Sequence, residues 1–178
     1  MNNMVGHVYN DIISVKNLCH AWREFVRGKK LRKDVADFSL NLSQNIFNLH
    51  ENLKNKLYRH GPYEAFPISD PKPRSIHKAT VRDRLLHHAI YRVLYLHFDR
   101  RFIYDSYSCR YGKGTHKALD RFNQFVRQVS ESNSRTGWVL KCDVRKFFAS
   151  IDQAILIETV KKHISDPDII WLIQRVVG

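Results

Sequence analysis

The sequence predicts an α+β protein that is mostly helical, with one short β-hairpin and one buried strand. Apolar residues recur at helical spacing through most of the 178-residue chain. Two short runs, residues 65–69 and 74–78, flank a proline-rich turn at residues 70–73, which is typical of an exposed hairpin. The apolar run from Trp138 to Asp143 follows a polar link and has the composition of a buried strand. Hydrophobic residues make up 43% of the chain, which is enough for a folded core.

Residues 1–61 predict two helices that pack together as a hairpin. The first ends at Gly28, which suits the position after a helix C-terminus, and the second ends at Gly61-Pro62. The basic connector between them, residues 28–33, is either a nucleic-acid contact or a solvated link. The apolar stripe of the first helix comprises Val8, Ile12, Val15, Leu18, Trp22, Phe25 and Val26; that of the second comprises Val35, Phe38, Leu42, Ile46, Leu49, Leu53 and Leu57.

Four further helices are predicted after the β-hairpin. Thr80 and Asp83 predict an N-cap that opens a helix to about Phe102, and an irregular loop spans residues 104–114. Thr115 is predicted to cap the next helix. After the strand, Asp152 is predicted to cap a helix through Ile164, and Asp166-Pro167 to open a last helix that runs to Gly178. The predicted apolar sides are Val81, Leu85, Ala89, Val93 and Leu96, then Ala118, Phe122, Phe125, Val126 and Val129.

Positive charge is concentrated in the middle of the chain. Thirty Lys and Arg residues against 17 Asp and Glu give a formal net charge of +13. Residues 72–117 hold 11 basic and three acidic side chains, a net +8, whereas residues 1–71 and 118–178 carry +3 and +2. Such a concentration favours a polyanion partner, because each phosphate contact releases counterions. An acidic protein or a membrane surface is the alternative that charge alone leaves open.

Cysteine usage and hydropathy indicate the compartment. Cys19, Cys109 and Cys142 follow no disulfide or metal spacing, so we expect reduced thiols and a cytoplasmic protein. The ten histidines lack the paired spacing of a zinc site. No apolar run reaches membrane-spanning length, and the N-terminus lacks the pattern of a signal peptide. We therefore expect no membrane partner.

Four runs of residues resemble motifs of reverse transcriptases, in the order in which those enzymes carry them. The run from Lys141 to Asp152 resembles the first catalytic-aspartate motif, and residues 72–76, 81–84 and 106–119 resemble motifs of the fingers. The closest likeness is to the bacterial enzymes of diversity-generating retroelements and group II introns. The resemblance implies a helical hairpin over residues 1–61, fingers over 62–136, and the start of the palm over 137–178.

The resemblance implies a two-metal nucleotidyl transfer that makes cDNA from an RNA template. Two Mg²⁺ ions would be held by Asp143 and Val144, together with an Asp pair from a Tyr-Xaa-Asp-Asp motif. No adjacent Asp-Asp pair exists in the sequence, so we expect the chain to stop before that motif and to be inactive alone. By spacing alone, Asp143 is either a metal ligand on a rigid strand or an ordinary solvated aspartate.

The same resemblance assigns nucleotide-binding roles. Phe148 would lie beneath the incoming sugar and exclude a 2′-hydroxyl, although a core phenylalanine is the alternative. The backbone N–H groups of Lys146 and Phe147 would face the triphosphate as a small anion nest. Arg74 would bind the triphosphate through its guanidinium group, with Lys72 as a weaker candidate.

Nucleic-acid contacts are assigned to Arg82, Arg84, Arg110 and Lys113, which would line the template side. Each is alternatively an ordinary surface charge or a partner for Asp83 or Asp105. The implied partners are an RNA template and primer, deoxynucleotides, and either a retroelement accessory protein or a chain that completes the palm.

Two other functions are compatible with the sequence. One is a non-catalytic RNA-binding module derived from a reverse transcriptase, and the other is a basic helical DNA-binding protein. We also expect self-association, because a lone palm strand has unpaired edges and the last helix is predicted to expose apolar residues. Those residues are Ile169, Ile170, Ile173 and Val176.

Overall fold

The computed structural model describes residues 8–69 and 71–178 and has an α+β fold. The chain forms two compact units. The first unit comprises the described residues up to Tyr95 together with Ile151–Gly178, and the second comprises Leu96–Ser150. In chain order the described elements are α1 Val8–Ile13, α2 Val15–Phe25, α3 Lys33–Leu40, α4 Leu42–Lys54, β1 Glu64–Ser69, β2 Pro73–Lys78, α5 Val81–Asp99, α6 Thr115–Val129, α7 Phe147–Ser150, α8 Gln153–Lys161 and α9 Pro167–Val177.

The core of the first unit is formed by helices from both ends of the chain. Helix α1 packs against α2, α4 and α9, and α8 packs against α9. The Tyr9 hydroxyl donates to the carbonyl oxygen of Leu53 over 2.7 Å, which joins α1 to α4. Each fully buried aliphatic side chain contributes about 1.5–3 kcal/mol to folding. The leucine and isoleucine residues with no exposed surface are Ile12, Leu18, Leu49, Leu53, Leu85, Leu86, Ile169 and Leu172.

Each of the two predicted N-terminal helices is broken into two. The Ser14 hydroxyl accepts from the backbone N–H of Asn17 over 3.1 Å, so Ser14 caps α2 and separates it from α1. Asn41 lies between α3 and α4, but its side chain makes no cap hydrogen bond. Gly28 takes a φ of +69°, as expected of a glycine that follows a helix end.

Leu57 does not belong to the buried stripe of α4, and the prediction was wrong there. The helix ends at Lys54, and Lys56 turns the chain with a φ of +58°. The N–H groups of Leu57 and Tyr58 both donate to the carbonyl oxygen of Asn52, at 2.8 and 3.1 Å. This turn directs Tyr58 into the core at 2% exposure and leaves Leu57 at 67%.

The predicted β-hairpin is confirmed. Strands β1 and β2 pair antiparallel, with Phe66 opposite Ile76 and Ile68 opposite Arg74. Of the predicted turn, Asp70 lies outside the described residues. Nearly every hairpin side chain is exposed, so the hairpin presents both of its faces to solvent.

Helix α5 begins as predicted, because the backbone N–H of Asp83 donates to the Thr80 hydroxyl over 3.2 Å. It ends at Asp99 rather than near Phe102. The prediction for the next helix was wrong by one residue. Gly114, with a φ of +131°, precedes α6, and Thr115 already lies inside the helix, where its side chain caps nothing.

The predicted strand from Trp138 to Asp143 does not form. These residues are irregular, and Trp138 and Leu140 are 92% and 88% exposed. A strand needs a neighbour for its backbone N–H and C=O groups. Within the described residues the sheet has only β1 and β2, which pair with each other. An apolar sequence alone therefore did not make a strand here.

The C-terminal helices begin as predicted. Asp152 accepts from the N–H of Ile155 over 3.0 Å, and α8 ends at Lys161, before Ile164. Asp166 accepts from the N–H of Ile169 over 3.3 Å, with Pro167 in the first turn of α9.

The predicted exposure of α9 was wrong. Ile169 has no exposed surface and Ile170 only 9%, while Ile173 and Val176 are partly buried. These residues are covered because α9 packs against α1 and α8, and the Tyr9 and Trp171 rings meet edge to face at 6.4 Å. The last helix is therefore no reason to expect self-association.

None of the helices in the described part of the chain is both long and apolar enough to cross a membrane.

Replacing Leu172 in α9 by alanine should lower the free energy of unfolding by about 2–5 kcal/mol, because it leaves a cavity in the core. The matched control is Ile155→Ala in α8, a side chain that is 66% exposed; it should cost less than about 0.5 kcal/mol. Urea unfolding followed by circular dichroism measures both. Equal effects would show that α9 does not pack on the N-terminal helices.

Candidate nucleic-acid interface

The hairpin presents Arg74, the predicted triphosphate-binding residue, on an exposed strand. Its side chain shares a face with those of Ile68 and Ile76, because residues alternate along a strand and Ile68 lies directly opposite. Among the described residues, Arg74 makes no ion pair, and Lys72 in the exposed turn makes none either. Both cations are exposed.

The base of the hairpin is fixed by Asp34 at the start of α3. Its carboxylate pairs with Lys78 of β2 at 3.1 Å and with Arg84 of α5 at 2.5 Å. Burial by itself would raise the pKa of Asp34, but the hydrogen bonds from Lys78 and Arg84 lower it overall. Lys78 also lies 3.4 Å from Glu64 at the start of β1. These ion pairs join the hairpin to two helices.

A second carboxylate, that of Asp83, is fully buried. It has no exposed surface and accepts from the Tyr58 hydroxyl at 2.9 Å, the Gly61 N–H at 2.9 Å and the Thr80 hydroxyl at 2.6 Å. Arg82 adds a hydrogen bond from Nε at 3.1 Å. Burial would raise the pKa of Asp83, but these donors lower it overall. The carboxylate joins the segments that enter and leave the hairpin.

Both predicted template-side arginines of α5 have partners inside the protein. Arg82 donates to Asp83 and to the Arg59 carbonyl, and its guanidinium lies 5.3 Å from the centre of the Tyr58 ring. The Arg84 side chain is only 18% exposed and pairs with Asp34. Arg82 is thus a partner of Asp83, as the alternative role had it, whereas Arg84 pairs with a carboxylate that the sequence did not indicate. Their contact with nucleic acid stays a prediction.

Three aromatic rings stack at the foot of the hairpin, a feature that the sequence did not indicate. The His60 ring lies between those of Tyr63 and His87, with centroids 4.9 and 5.3 Å away. His60 Nδ1 lies 2.7 Å from the Gly61 carbonyl oxygen, which can only accept, so Nδ1 carries the proton. His60 Nε2 lies 3.2 Å from Nε2 of His87, within hydrogen-bond distance.

In the second unit, Arg110 organises the loop that follows α5. Its guanidinium donates to the Asp99 carboxylate at 2.7 Å and to the Asp99, Ile103 and Ser106 carbonyls at 3.0, 3.0 and 3.2 Å. The side chain is 10% exposed. These contacts give Arg110 a structural role, and any nucleic-acid contact would be additional to it.

Lys113 is also engaged by its own loop. Its ammonium group donates to the Tyr104 carbonyl and lies 4.0 and 4.8 Å from the centres of the Tyr104 and Tyr107 rings. No carboxylate among the described residues pairs with it. The positive charge of Lys113 is thus held beside two tyrosine rings and remains partly exposed.

The segment that carries Asp143 is exposed along its length. Val144 is 61% and Phe148 88% exposed, so the alternative of Phe148 as a core residue is wrong. Lys146 takes a φ of +50°, and its carbonyl accepts from the N–H of Ala149 at 2.9 Å. This turn opens α7, whose first residue, Phe147, makes an edge-to-face contact with Phe148 at 5.3 Å.

The residues present do not fit a pair of Mg²⁺ ions by themselves. Asp143 supplies one carboxylate, whereas two ions in working geometry need several. Within residues 8–69 and 71–178, no three His, Cys, Asp or Glu side chains form a group that could hold a metal ion. We therefore assign no chemical step to a metal in this chain.

Comparison with protein-family models gives no match, and no curated protein is significantly similar to the chain. The resemblance to reverse transcriptases accordingly rests on the order and content of the motifs alone.

Replacing Asp83 by alanine should destabilise the protein by about 3–5 kcal/mol, because Arg82 and three other donors lose a buried partner. Chemical denaturation measures the loss. Asp168→Ala serves as the control, because Asp168 is exposed and its removal should cost about 1 kcal/mol or less. If Asp83→Ala lowered the free energy of unfolding by less than about 1 kcal/mol, Asp83 would not be what joins these segments.

Stability should fall below about pH 6.5, the ordinary pKa of histidine. Burial and the neighbouring His60 lower the pKa of His87, and burial lowers that of His88. The unfolded chain then binds more protons than the folded one, so stability is complete above this pH and is lost as the pH falls. Free energies of unfolding between about pH 5 and 8 should show a smaller slope in His87→Gln. An unchanged slope would mean that His87 does not sense pH.

Proposed function

We propose that the chain forms the fingers and the first palm motif of an RNA-directed DNA polymerase that copies an RNA template into cDNA. The observation that carries this proposal is the hairpin over Glu64–Lys78, which lies where the motif order requires a fingers element and presents Arg74 to solvent. The observed helices and hairpin support only the coarser statement that the fold is α+β. The finer assignment of fingers and palm belongs to the proposal.

Arg74 is the residue with the best-supported role. A guanidinium group binds a phosphate through two parallel hydrogen bonds, and this geometry needs a side chain without a competing carboxylate. The neighbours of Arg74 on its face of the hairpin are Ile68 and Ile76, both apolar. The ion pairs of Lys78 at the base fix the hairpin without using Arg74. In the proposal, Arg74 and Lys72 bind the triphosphate of a deoxynucleotide.

Asp143 would supply one of three metal-binding carboxylates, and Val144 would add its backbone carbonyl. The other two carboxylates would come from residues outside this sequence, since it contains no adjacent Asp-Asp pair. Residues 138–143, irregular and exposed here, would become a strand once a neighbouring strand pairs with them. The chain alone would then bind nucleic acid without extending a primer.

A non-catalytic RNA-binding module is the second candidate. It is favoured by the absence of an Asp-Asp pair and by the exposed cations Lys72 and Arg74. Both candidates bind RNA, and both are proposed to act in the cytoplasm. They differ in whether Asp143 takes part in chemistry, so the decisive test is on that residue.

The test is primer extension on an RNA template by the full polypeptide of the reading frame that contains these residues. Asp143→Asn keeps the shape of the side chain but removes its charge, so it should abolish extension and change RNA affinity by less than about twofold. Asp152→Asn is a matched control in the same motif, because asparagine caps a helix as well as aspartate does. It should extend primers normally.

Phe148→Ala should behave differently from both variants. Extension should continue, but ribonucleotides should be incorporated because the ring that excludes the 2′-hydroxyl is gone. Incorporation of labelled ribonucleotides measures this. Extension by Asp143→Asn at the parent rate would refute the catalytic assignment, and RNA binding without any extension by the parent would favour the binding module.

A further inference from the structure

The fold determines which basic side chains remain free of internal ion pairs among the described residues. Of the 11 basic residues in the segment 72–117, five are held in ion pairs inside the protein. Residues 14–33 contain seven Lys and Arg residues and a single carboxylate, Glu24. The Glu24 carboxylate already pairs with Arg92 and with His88, whose Nε2 atom lies 3.3 Å from it. The paired residues of the middle segment are Lys78, Arg82, Arg84, Arg92 and Arg110.

Four of these N-terminal cations, two in α2 and two in the turns that follow it, are together called the α2 stripe: Lys16, Arg23, Arg27 and Lys30. All four are exposed, and none pairs with a carboxylate of the described residues. Their spacings of seven, four and three residues place Lys16 and Arg23 on one side of α2, about 10 Å apart at 1.5 Å per residue. Exposed His20 lies between them on the same side.

The chain after α2 stays in tight turns. The N–H of Lys29 donates to the Val26 carbonyl at 2.9 Å, and the N–H of Arg32 donates to the Lys29 carbonyl at 3.0 Å. Two residues later, Asp34 pairs with Lys78 at the base of the hairpin, at 3.1 Å. The basic connector, residues 28–33, is therefore followed directly by the residue that pairs with the base of the hairpin.

We infer that the α2 stripe binds the phosphate backbone of structured RNA, as a surface separate from the hairpin arginine. Unpaired, exposed cations close together in the chain suit a polyphosphate, and arginine binds phosphate in bidentate fashion. The four members of the stripe are cations that contact phosphates, so they contribute affinity and orientation rather than sequence specificity.

The other polyanions fit the α2 stripe less well. A helix that binds a membrane surface inserts its apolar side, but Leu18, Trp22 and Phe25 of α2 are buried in the core. An acidic protein partner would need an apolar or aromatic anchor at the centre of the interface. Leu31, beside the stripe, is fully exposed, but one leucine is far smaller than the patches that hold protein partners.

This inference does not depend on Asp143, on the hairpin or on the assignment to reverse transcriptases. Its test is the binding of a fluorescent RNA stem-loop to the 178-residue chain at several salt concentrations. Replacing Lys16, Arg23, Arg27 and Lys30 together by alanine should weaken binding at least tenfold and lower the salt slope by about three. The control removes four charges elsewhere, at Lys54, Arg100, Lys117 and Lys161, and should lower the slope by less than about one.

Three results would overturn the assignment. The first is an equal change of slope in both four-residue variants, and the second is no change in the stripe variant. The third is binding of phosphatidylserine vesicles or polyglutamate as tight as RNA binding and equally sensitive to the stripe substitutions. Far-UV circular dichroism checks that the variants fold. Lysine acetylation of the unaltered chain gives an independent reading: RNA should protect Lys16 and Lys30 and leave Lys54 reactive, and unprotected stripe lysines would refute the proposal.

Discussion

The buried carboxylate of Asp83 is the contact on which the geometry of the first unit depends. A charge with no exposed surface is tolerated only when several donors surround it, and here Tyr58, Gly61, Thr80 and Arg82 do so. These donors come from the segment before the hairpin, the segment after it and the first turn of α5. One carboxylate thus sets where the hairpin leaves the helices. Asp34 adds a second, more exposed anchor through Lys78 and Arg84.

These anchors divide the cations of the protein into two classes. Cations near the helices, such as Arg84 and Arg110, are used to hold segments together. Exposed cations on strand β2 and helix α2, such as Arg74 and Arg23, have no carboxylate partner among the described residues. The second class is the one that a polyanion can reach at no cost to internal ion pairs. The proposed triphosphate contact and the α2 stripe both belong to it.

The second unit is built on a different principle. Arg110 closes the loop after α5 through four hydrogen bonds, and Arg121 lies 3.0 Å from Asp105. By contrast, helix α6 buries none of its residues, and the apolar run from Trp138 to Leu140 is exposed. The unit is therefore ordered by polar contacts and local turns.

The sequence by itself determined the elements whose signals are local. The hairpin follows from its prolines, and the starts of α5, α8 and α9 follow from capping residues such as Thr80, Asp152 and Asp166, because each contact spans only a few residues. Tertiary structure decided the rest. Leu57 is exposed and Ile169 buried because a distant turn and helix packing set burial, not periodicity. Trp138–Asp143 forms no strand because pairing needs a neighbour. Which cations remain available was likewise settled by carboxylates far away in sequence, such as Asp34 for Arg84.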